Sequence, residues 1–479
     1  MSVAGPLTRP GVRFWYADLA WLPGHGVASA VLIEATRDRF SAVAPGFEAS
    51  RLPPETVRLT GLTLPGLANA HSHAFHRALR GITESPGQRA EGAPAQEKDT
   101  FWTWRDRMYQ VAERCDPENY LALARATYAE MALAGVTCVG EFHYLHHGPG
   151  GVPYANPNEM GSALIEAARQ AGIRITLLDT CYLSGGLAAD GRRLPLSRPQ
   201  QRFADGDAER WAQRLDGLGP RQDGRLAQHA RAGAAIHSVR AVPPDQMPPV
   251  VAWARAHRAP LHAHLSEQPA ENEACLAACG TSPAEVFAGA GALGPHSTMV
   301  HCTHLSELDI ERLGESRTCV CLCPSTEAFL ADGIGPADQL AAEGSTLAVG
   351  SDSQAVIDLL GEARQIELGQ RLRTGTRGHF TASALIQAAS TDGHACLGWP
   401  EAGEIVPGAI ADLVTVSLGT PRLAGAEPAT ALESVIFAAT PDDVTNVVVS
   451  GRDVVRDGEH LRVPDVPRAL SAAISPLLS

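Results

Sequence analysis

Long hydrophobic runs are missing from this chain of 479 residues. No stretch of about 18 uninterrupted apolar residues occurs, so no helical membrane span is expected. The opening MSVAGPLTRPGVRFW has neither the charged start nor the apolar run of a signal peptide, and a cytoplasmic protein is the expectation. Positive charge is scarce as well. Against 53 Asp and Glu stand 39 Lys and Arg, and the formal net charge of −14 sets the overall field against nucleic acid and anionic membrane surfaces. Lysine is nearly absent: Lys98 is the only one, so a mechanism that needs an active-site lysine has a single candidate. The 10 cysteines are scattered or sit inside apolar runs. In RTCVCLCPST, alternation puts Cys319, Cys321 and Cys323 on one face of a strand, as small hydrophobes of a reduced core.

What is present is a globular composition, 44% hydrophobic and 19% charged, at a length that allows one large α/β domain and a smaller one. From Gly61 to Ser353 one phrase recurs: a helical stretch, a Gly or Pro breaker, then a short apolar run ending in polar residues. The predicted strands are Leu62 to His71, Val136 to Tyr144, Ile173 to Tyr182, Ala232 to Val239, Pro260 to Leu265, Thr298 to Thr303, Thr318 to Cys323 and Leu347 to Gly350. Between them lie helical patterns such as Pro117 to Leu133, Asn158 to Gln170, Pro244 to Arg258 and Ser306 to Leu313. Strands and helices alternating in this way over roughly 290 residues predict an α/β fold, the (β/α)8 barrel. The flanks carry short strand-like runs (Ala30 to Ala35, Asp412 to Val416, Val444 to Val448) and few long helical patterns. The expected division is therefore a barrel over 61–404 and a composite β-sandwich from 1–60 and 405–479. Two excursions, Thr83 to Asp99 and Gly148 to Pro157, follow the first two strands on the face where barrel enzymes keep their sites. Both are expected to be loops near substrate.

The chemistry-bearing residues sit at the strand ends. His71 and His73 close the first strand at alternate positions, so both imidazoles point the same way. The fifth strand runs into His262-Ala-His264-Leu-Ser-Glu267, the sixth into His301-Cys-Thr-His304 and the eighth into Gly350-Ser-Asp352. A barrel gathers these ends around its axis, so His71, His73, His264 and Asp352 are expected to form one N/O site for Zn²⁺ or a similar divalent ion. Glu267, three residues beyond His264, is placed to exchange protons with water and a substrate nitrogen, and His301 to orient that water.

These motifs resemble the amidohydrolase superfamily, whose members join a β-sandwich built from both termini to a metal-dependent barrel. The resemblance spans nearly the whole chain. It implies metal binding by His71, His73, His264 and Asp352, with Glu267, His301 and Asp352 as the catalytic groups. Two-metal members bridge their ions with a carboxylated lysine after the fourth strand; here that stretch reads Ile236-His237-Ser238-Val239, so one metal is expected. The phrases HSHAFHRALRG, DTFWTWRDRMY, EFHYLHHGPGGVPYANPNEM, IHSVRAV, HLSEQ, CPSTEAFLADGI and GSDSQAVIDLLGEARQIELGQRLR are most similar to the branch that deiminates N-formimidoyl-L-glutamate in histidine degradation.

That small-molecule substrate has two carboxylates, which call for guanidinium forks or other strong donors. The resemblance carries Arg105, Arg240, Tyr144 and His237 over as the residues that bind it. Five positions after the first metal histidine the family commonly has Gln; this chain has His76, expected to contact substrate with different hydrogen-bonding geometry. His143, His146 and His147 are kept out of the metal site. The resemblance further implies a homodimer. Two other readings stay open: a deaminase of a purine, pyrimidine or triazine ring, and a non-catalytic metal-binding protein.

Overall fold

Two eight-stranded sheets organise the computed structural model, which describes residues 11–83, 101–218, 226 and 228–478. One is a mixed sheet built from both ends of the chain. Val12–Leu22, Gly26–Thr36, Arg39–Ala44 and Val57–Pro65 come from the N-terminal side; Leu413–Val416, Val444–Val449, Arg452–Arg456 and Glu459–His460 come from the C-terminal side. Val57–Pro65 joins the halves, pairing parallel with Val12–Leu22 on one edge and antiparallel with Leu413–Val416 on the other.

The second sheet is the barrel. Its strands, numbered here in order around the axis, are Leu67–Ser72, Val136–His143, Arg174–Cys181, Ala230–Ile236, Leu261–Leu265, Ser297–His301, Cys319–Leu322 and Leu347–Val349. Each pairs in parallel with the next. Strand 8 returns to strand 1 through a bridge between Ser72 and Asp352, where the Asp352 N–H donates to the His71 carbonyl at 3.0 Å and the His73 N–H to the Asp352 carbonyl at 3.2 Å. The expected barrel and its composite β partner are both present.

The structure corrects the first predicted strand. Leu62 to His71 is two elements in two sheets, separated at Gly66: Leu62 to Pro65 pair in the composite sheet, and the barrel begins at Leu67. Leu62, Leu64, Leu67 and Ala68 are all buried in the same apolar core, so hydrophobicity runs unbroken across the switch. Glycine permits it. A Cβ at position 66 would lie 2.5 Å from the Thr137 side chain and 2.7 Å from Asp412 Cβ.

The helices follow their local signals. Pro117–Leu133 begins where Asp116 accepts from the backbone of Glu118 and Asn119, with Pro at the first helical position. Glu159–Ala171 ends at Gly172, whose φ of 91° only glycine adopts freely. Glu307–Glu315 is capped by Ser306. A second correction concerns the C-terminal flank, which ends in a 13-residue helix, Val466–Leu478. Val466 and Leu470 pack with Val463 against Ala126 and Ala129 of Pro117–Leu133. The i, i+4, i+7, i+11 spacing of Val466, Leu470, Ala473 and Leu477 is a helical period hidden among small residues.

All ten cysteines are free, and Cys319, Cys321 and Cys323 share a buried cluster with Ala70, Val300 and Ala348. Gly148 to Pro157 forms a loop with a short 3-10 turn at Pro149–Gly151. Of the other predicted excursion, 84–99 lie outside the described residues, as does Lys98. No helix among the described residues is long and apolar enough to cross a membrane.

Candidate active site

His71 lies on barrel strand 1, and His73 stands one step beyond it in extended conformation, opening the 3-10 turn Ala74–Leu79. Between them Ser72 points the other way, donating to Glu141 at 2.8 Å and accepting from Gln354 at 2.8 Å. Glu141 also accepts the Ala74 N–H at 2.6 Å, so both sides of the His-Ser-His turn are tied down. Burial pushes Glu141 up to about 8, against the hydrogen bonds from Ala74 and Ser72.

Two of the imidazoles are oriented by backbone carbonyls. His73 Nδ1 donates to Phe142 at 2.9 Å and His264 Nδ1 to His237 at 3.0 Å, leaving the Nε2 lone pairs facing inward. Those inner nitrogens converge. His264 Nε2 is 3.1 Å from His71 Nε2, and Asp352 Oδ1 is 3.3 Å from the Nε2 of both His71 and His73. The ligand atoms of all four residues lie within 4.8 Å of one another. Burial lowers His71, His73 and His264 below the ordinary imidazole value, so each is a neutral donor at pH 7. Burial opposes ionisation of Asp352, but its hydrogen bond to His71 and the neighbouring imidazoles of His71, His301 and His73 hold the carboxyl well below the usual range. Three neutral imidazoles and one carboxylate with converging lone pairs are a borderline-soft N/O donor set, and a divalent transition ion fits it.

Around this cluster stand the groups that handle protons. His301 ends barrel strand 6 and stacks on His264 with centroids 5.6 Å apart and planes 13° from parallel. Its Nε2 is 3.7 Å from Glu267 Oε1 and 3.8 Å from Asp352 Oδ2, while its Nδ1 is 3.4 Å from Glu327 Oε1. Burial works against the imidazolium, yet Glu267, Glu327 and Asp352 together raise His301 to about 10. Glu267 accepts from Arg240 Nη2 at 3.0 Å. On the other side of that guanidinium, Arg240 Nε is 3.1 Å from Glu271 Oε2, so the expected carboxylate-binding arginine already stands between two glutamates.

The remaining expected residues line the same pocket. His76 Nε2 and the Tyr144 hydroxyl are hydrogen-bonded at 3.1 Å, and burial lowers His76 to about 3. The Arg105 guanidinium lies 5.6 Å from the centroid of the Tyr109 ring. His237 packs its ring 4.6 Å from Tyr182 and 5.0 Å from His264. Phe203 and Trp104 complete an aromatic wall.

His143 and His146 do not reach this pocket. They form a separate buried group with Asp179, whose carboxylate is taken by Arg214 at 2.7 and 2.9 Å and by the Trp211 indole at 2.8 Å. His147 is hydrogen-bonded to Asp205, a second partner of Arg214. A guanidinium already neutralises these carboxylates. Sequence reasoning missed Glu327, Glu271 and the Tyr182–Phe203 wall. Glu271 had a signal, one helical turn beyond Glu267; Glu327 lay inside a quoted phrase without any pattern that marked it.

Residues 62–454 match the amidohydrolase family. The chain belongs to the amidohydrolase family. This amidohydrolase is 36% identical to the formimidoylglutamate deiminase of Pseudomonas aeruginosa, covering 97% of this chain and 99% of that one. It is 30% identical to the 8-oxoguanine deaminase of the same organism, over 89% and 87% of the two chains. Among solved structures, an amidohydrolase from Brucella melitensis superposes with a TM-score of 0.86 at 33% identity, covering 98% of this chain and all of that one. An adenosine deaminase from Xanthomonas campestris, solved with bound zinc, shares the fold at a TM-score of 0.76 and 22% identity, over 96% and 98% of the chains.

Proposed function

We propose that this amidohydrolase deiminates N-formimidoyl-L-glutamate with water, releasing ammonia and leaving N-formyl-L-glutamate, a step of histidine degradation. The observation that carries this reading is one pocket lined by His73, His264 and Asp352 of the cluster that they form with His71 and by two guanidinium groups, Arg105 and Arg240. The identity to the Pseudomonas aeruginosa deiminase over nearly all of both chains supports it.

One divalent ion, Zn²⁺ in this proposal, would be held by those four residues and would supply a water whose pKa such ions lower to about 7. Asp352 takes the proton of the attacking water, and His301 holds its oxygen toward the formimidoyl carbon. Glu267 passes a proton to the imino nitrogen. As the adduct's hydroxyl gives up its own proton to that nitrogen through Asp352 and Glu267, the carbon–nitrogen bond breaks, the nitrogen leaves as ammonia, and the carbonyl of the formyl group forms in its place. Arg105 and Arg240 take the two carboxylates, with His76, Tyr144 and His237 placed around the substrate chain. Glu267 is poised for its role by contact with both a carboxylate-binding arginine and His301.

The proposal extends to a homodimer, as the family resemblance implies, and to the cytoplasm. With Val57–Pro65 in the composite sheet, its catalytic barrel starts at Leu67 and runs to about residue 404, the two flanks forming the second unit. A second reading is favoured by the aromatic wall of Trp104, Tyr109, Tyr144, Tyr182 and Phe203, which suits a heterocycle. Against it, no Asn or Gln side chain lines the pocket among the described residues, and ring recognition needs amide-like donor and acceptor pairs. Ammonia release by the zinc-loaded protein is the test, with N-formimidoyl-L-glutamate beside guanine and cytosine and the product identified by mass. Ammonia with N-formyl-L-glutamate is expected. Turnover of a ring substrate alone would overturn the substrate assignment, and no turnover of any with metal bound would overturn the deiminase reading.

A further inference from the structure

We propose that Glu327 is a positioning residue that holds the His301 ring by Nδ1, so that Nε2 of the same ring faces Glu267 and Asp352. The proposal rests on the reading of His301 as the group that acts on the attacking water.

The backbone at His301 is itself an unusual turn. His301 and Cys302 have φ of 71° and 55°, two successive left-handed residues that are not glycine, so the surrounding structure must hold the turn. Stacking on His264 fixes the plane of the ring but not which nitrogen points which way. A half-turn about the terminal torsion exchanges the two edges of an imidazole, and that torsion is broad and two-fold. Only a partner on one edge selects the orientation.

Glu327 is that partner. Its Oε1 is 3.4 Å from His301 Nδ1 and also accepts the Cys323 N–H at 3.0 Å. The carboxylate is therefore anchored by the backbone of its own turn, at the start of the short helix Pro324–Phe329, before it meets the histidine. The side chain is buried and is not part of the pocket wall, so it acts through His301 and touches no substrate. A carboxylate on the outer nitrogen of a working histidine sets both the tautomer and the direction of the inner nitrogen.

A double-mutant cycle with His301 tests this. Glu327→Ala is expected to lower kcat by about 10–100-fold, the usual cost of losing such a support, with KM and metal content near those of the wild type. Glu327→Gln, whose amide oxygen still accepts from Nδ1, is expected to recover part of that loss. In a His301→Asn background, Glu327→Ala should cost less than about two-fold, because the residue it supports is gone. The same fold loss in both backgrounds, or a loss carried by KM or by metal content, would overturn the proposal. A readout without substrate separates this from the substrate assignment. In protein with ¹⁵N-labelled histidine, the His301 signal, assigned by its disappearance in His301→Asn, should report a protonated Nδ1 that shifts in Glu327→Ala. A bare Nδ1 in the wild type overturns the proposal whatever the substrate proves to be.

Discussion

Glu267 and Asp352 sit within reach of the same imidazole, His301, yet they have different neighbours and should fail differently when changed. Asp352 shares its Oδ1 between His71 and His73, so its loss removes a charge on which the whole donor set converges. Asp352→Ala is expected to abolish turnover and to lower metal content after dialysis. Glu267 touches Arg240 and His301 and is outside the four-residue cluster. Glu267→Gln is expected to keep one metal per chain while kcat falls by about 10²–10⁴-fold, the range for loss of a proton-transfer group. Metal analysis beside kcat on the same samples separates the two; turnover near wild type in Glu267→Gln would remove the proton-shuttle role. The clustering of His71, His73, His264 and Asp352 was legible because each ends a strand, and barrel geometry converts strand ends into neighbours. The pairing of Arg240 with Glu271 was not. It depends on how far a turn after strand 4 leans toward a helix after strand 5, which no local pattern records.

Among elements, the loop helices above the barrel are tied by buried carboxylates, and one of these makes stability depend on pH. Glu362, on helix Leu359–Thr374, accepts from the Ser325 N–H at 2.9 Å and from the Ser325 hydroxyl, fastening the start of Pro324–Phe329. Burial raises Glu362 to about 8, against the Ser325 hydrogen bonds and with a smaller push from Glu327. Between its ordinary value of 4.5 and about 8, the folded chain holds a proton that the unfolded chain releases. Stability must therefore fall as pH rises through that window. Glu362→Gln cannot ionise, so denaturant unfolding should show the wild type losing stability relative to the variant from about pH 5 to pH 8. A difference that stays flat over that range would mean the carboxyl ionises in place without cost. Element identity was legible wherever a cap or a period marked it, as at Asp116 and Gly172. It failed at Gly66, where apolar residues continue on both sides and only the Thr137 and Asp412 side chains, distant in sequence, require the turn.

At the scale of the whole molecule, the barrel and the composite sheet are joined at the end of the barrel opposite the candidate site. Arg174, the first residue of strand 3, donates to Asp412 through Nη1 at 2.9 Å and through Nη2, and both side chains are buried. Asp412 also accepts the Ser450 N–H at 2.8 Å, so one carboxylate gathers the barrel and two segments of the C-terminal flank. Burial disfavours the charge on Arg174, but Asp412 more than offsets this and holds the guanidinium above its ordinary value. Such a pair contributes little compared with well-packed apolar residues, whereas breaking it from one side strands a charge and costs about 3–5 kcal/mol. Arg174→Met should therefore lower unfolding stability by about that amount, and Arg174→Met with Asp412→Leu should recover much of it. Folded Arg174→Met protein should keep a kcat near wild type, because the pair lies a strand length from His71 and Asp352, and barrels separate a stability face from a catalytic face. If the double variant were less stable than Arg174→Met alone, the ion pair would be acting as a register pin between the two sheets rather than as a neutralised burial, and the Gly66 N–H donating to the Asp412 carbonyl at 3.2 Å would be the next contact to test.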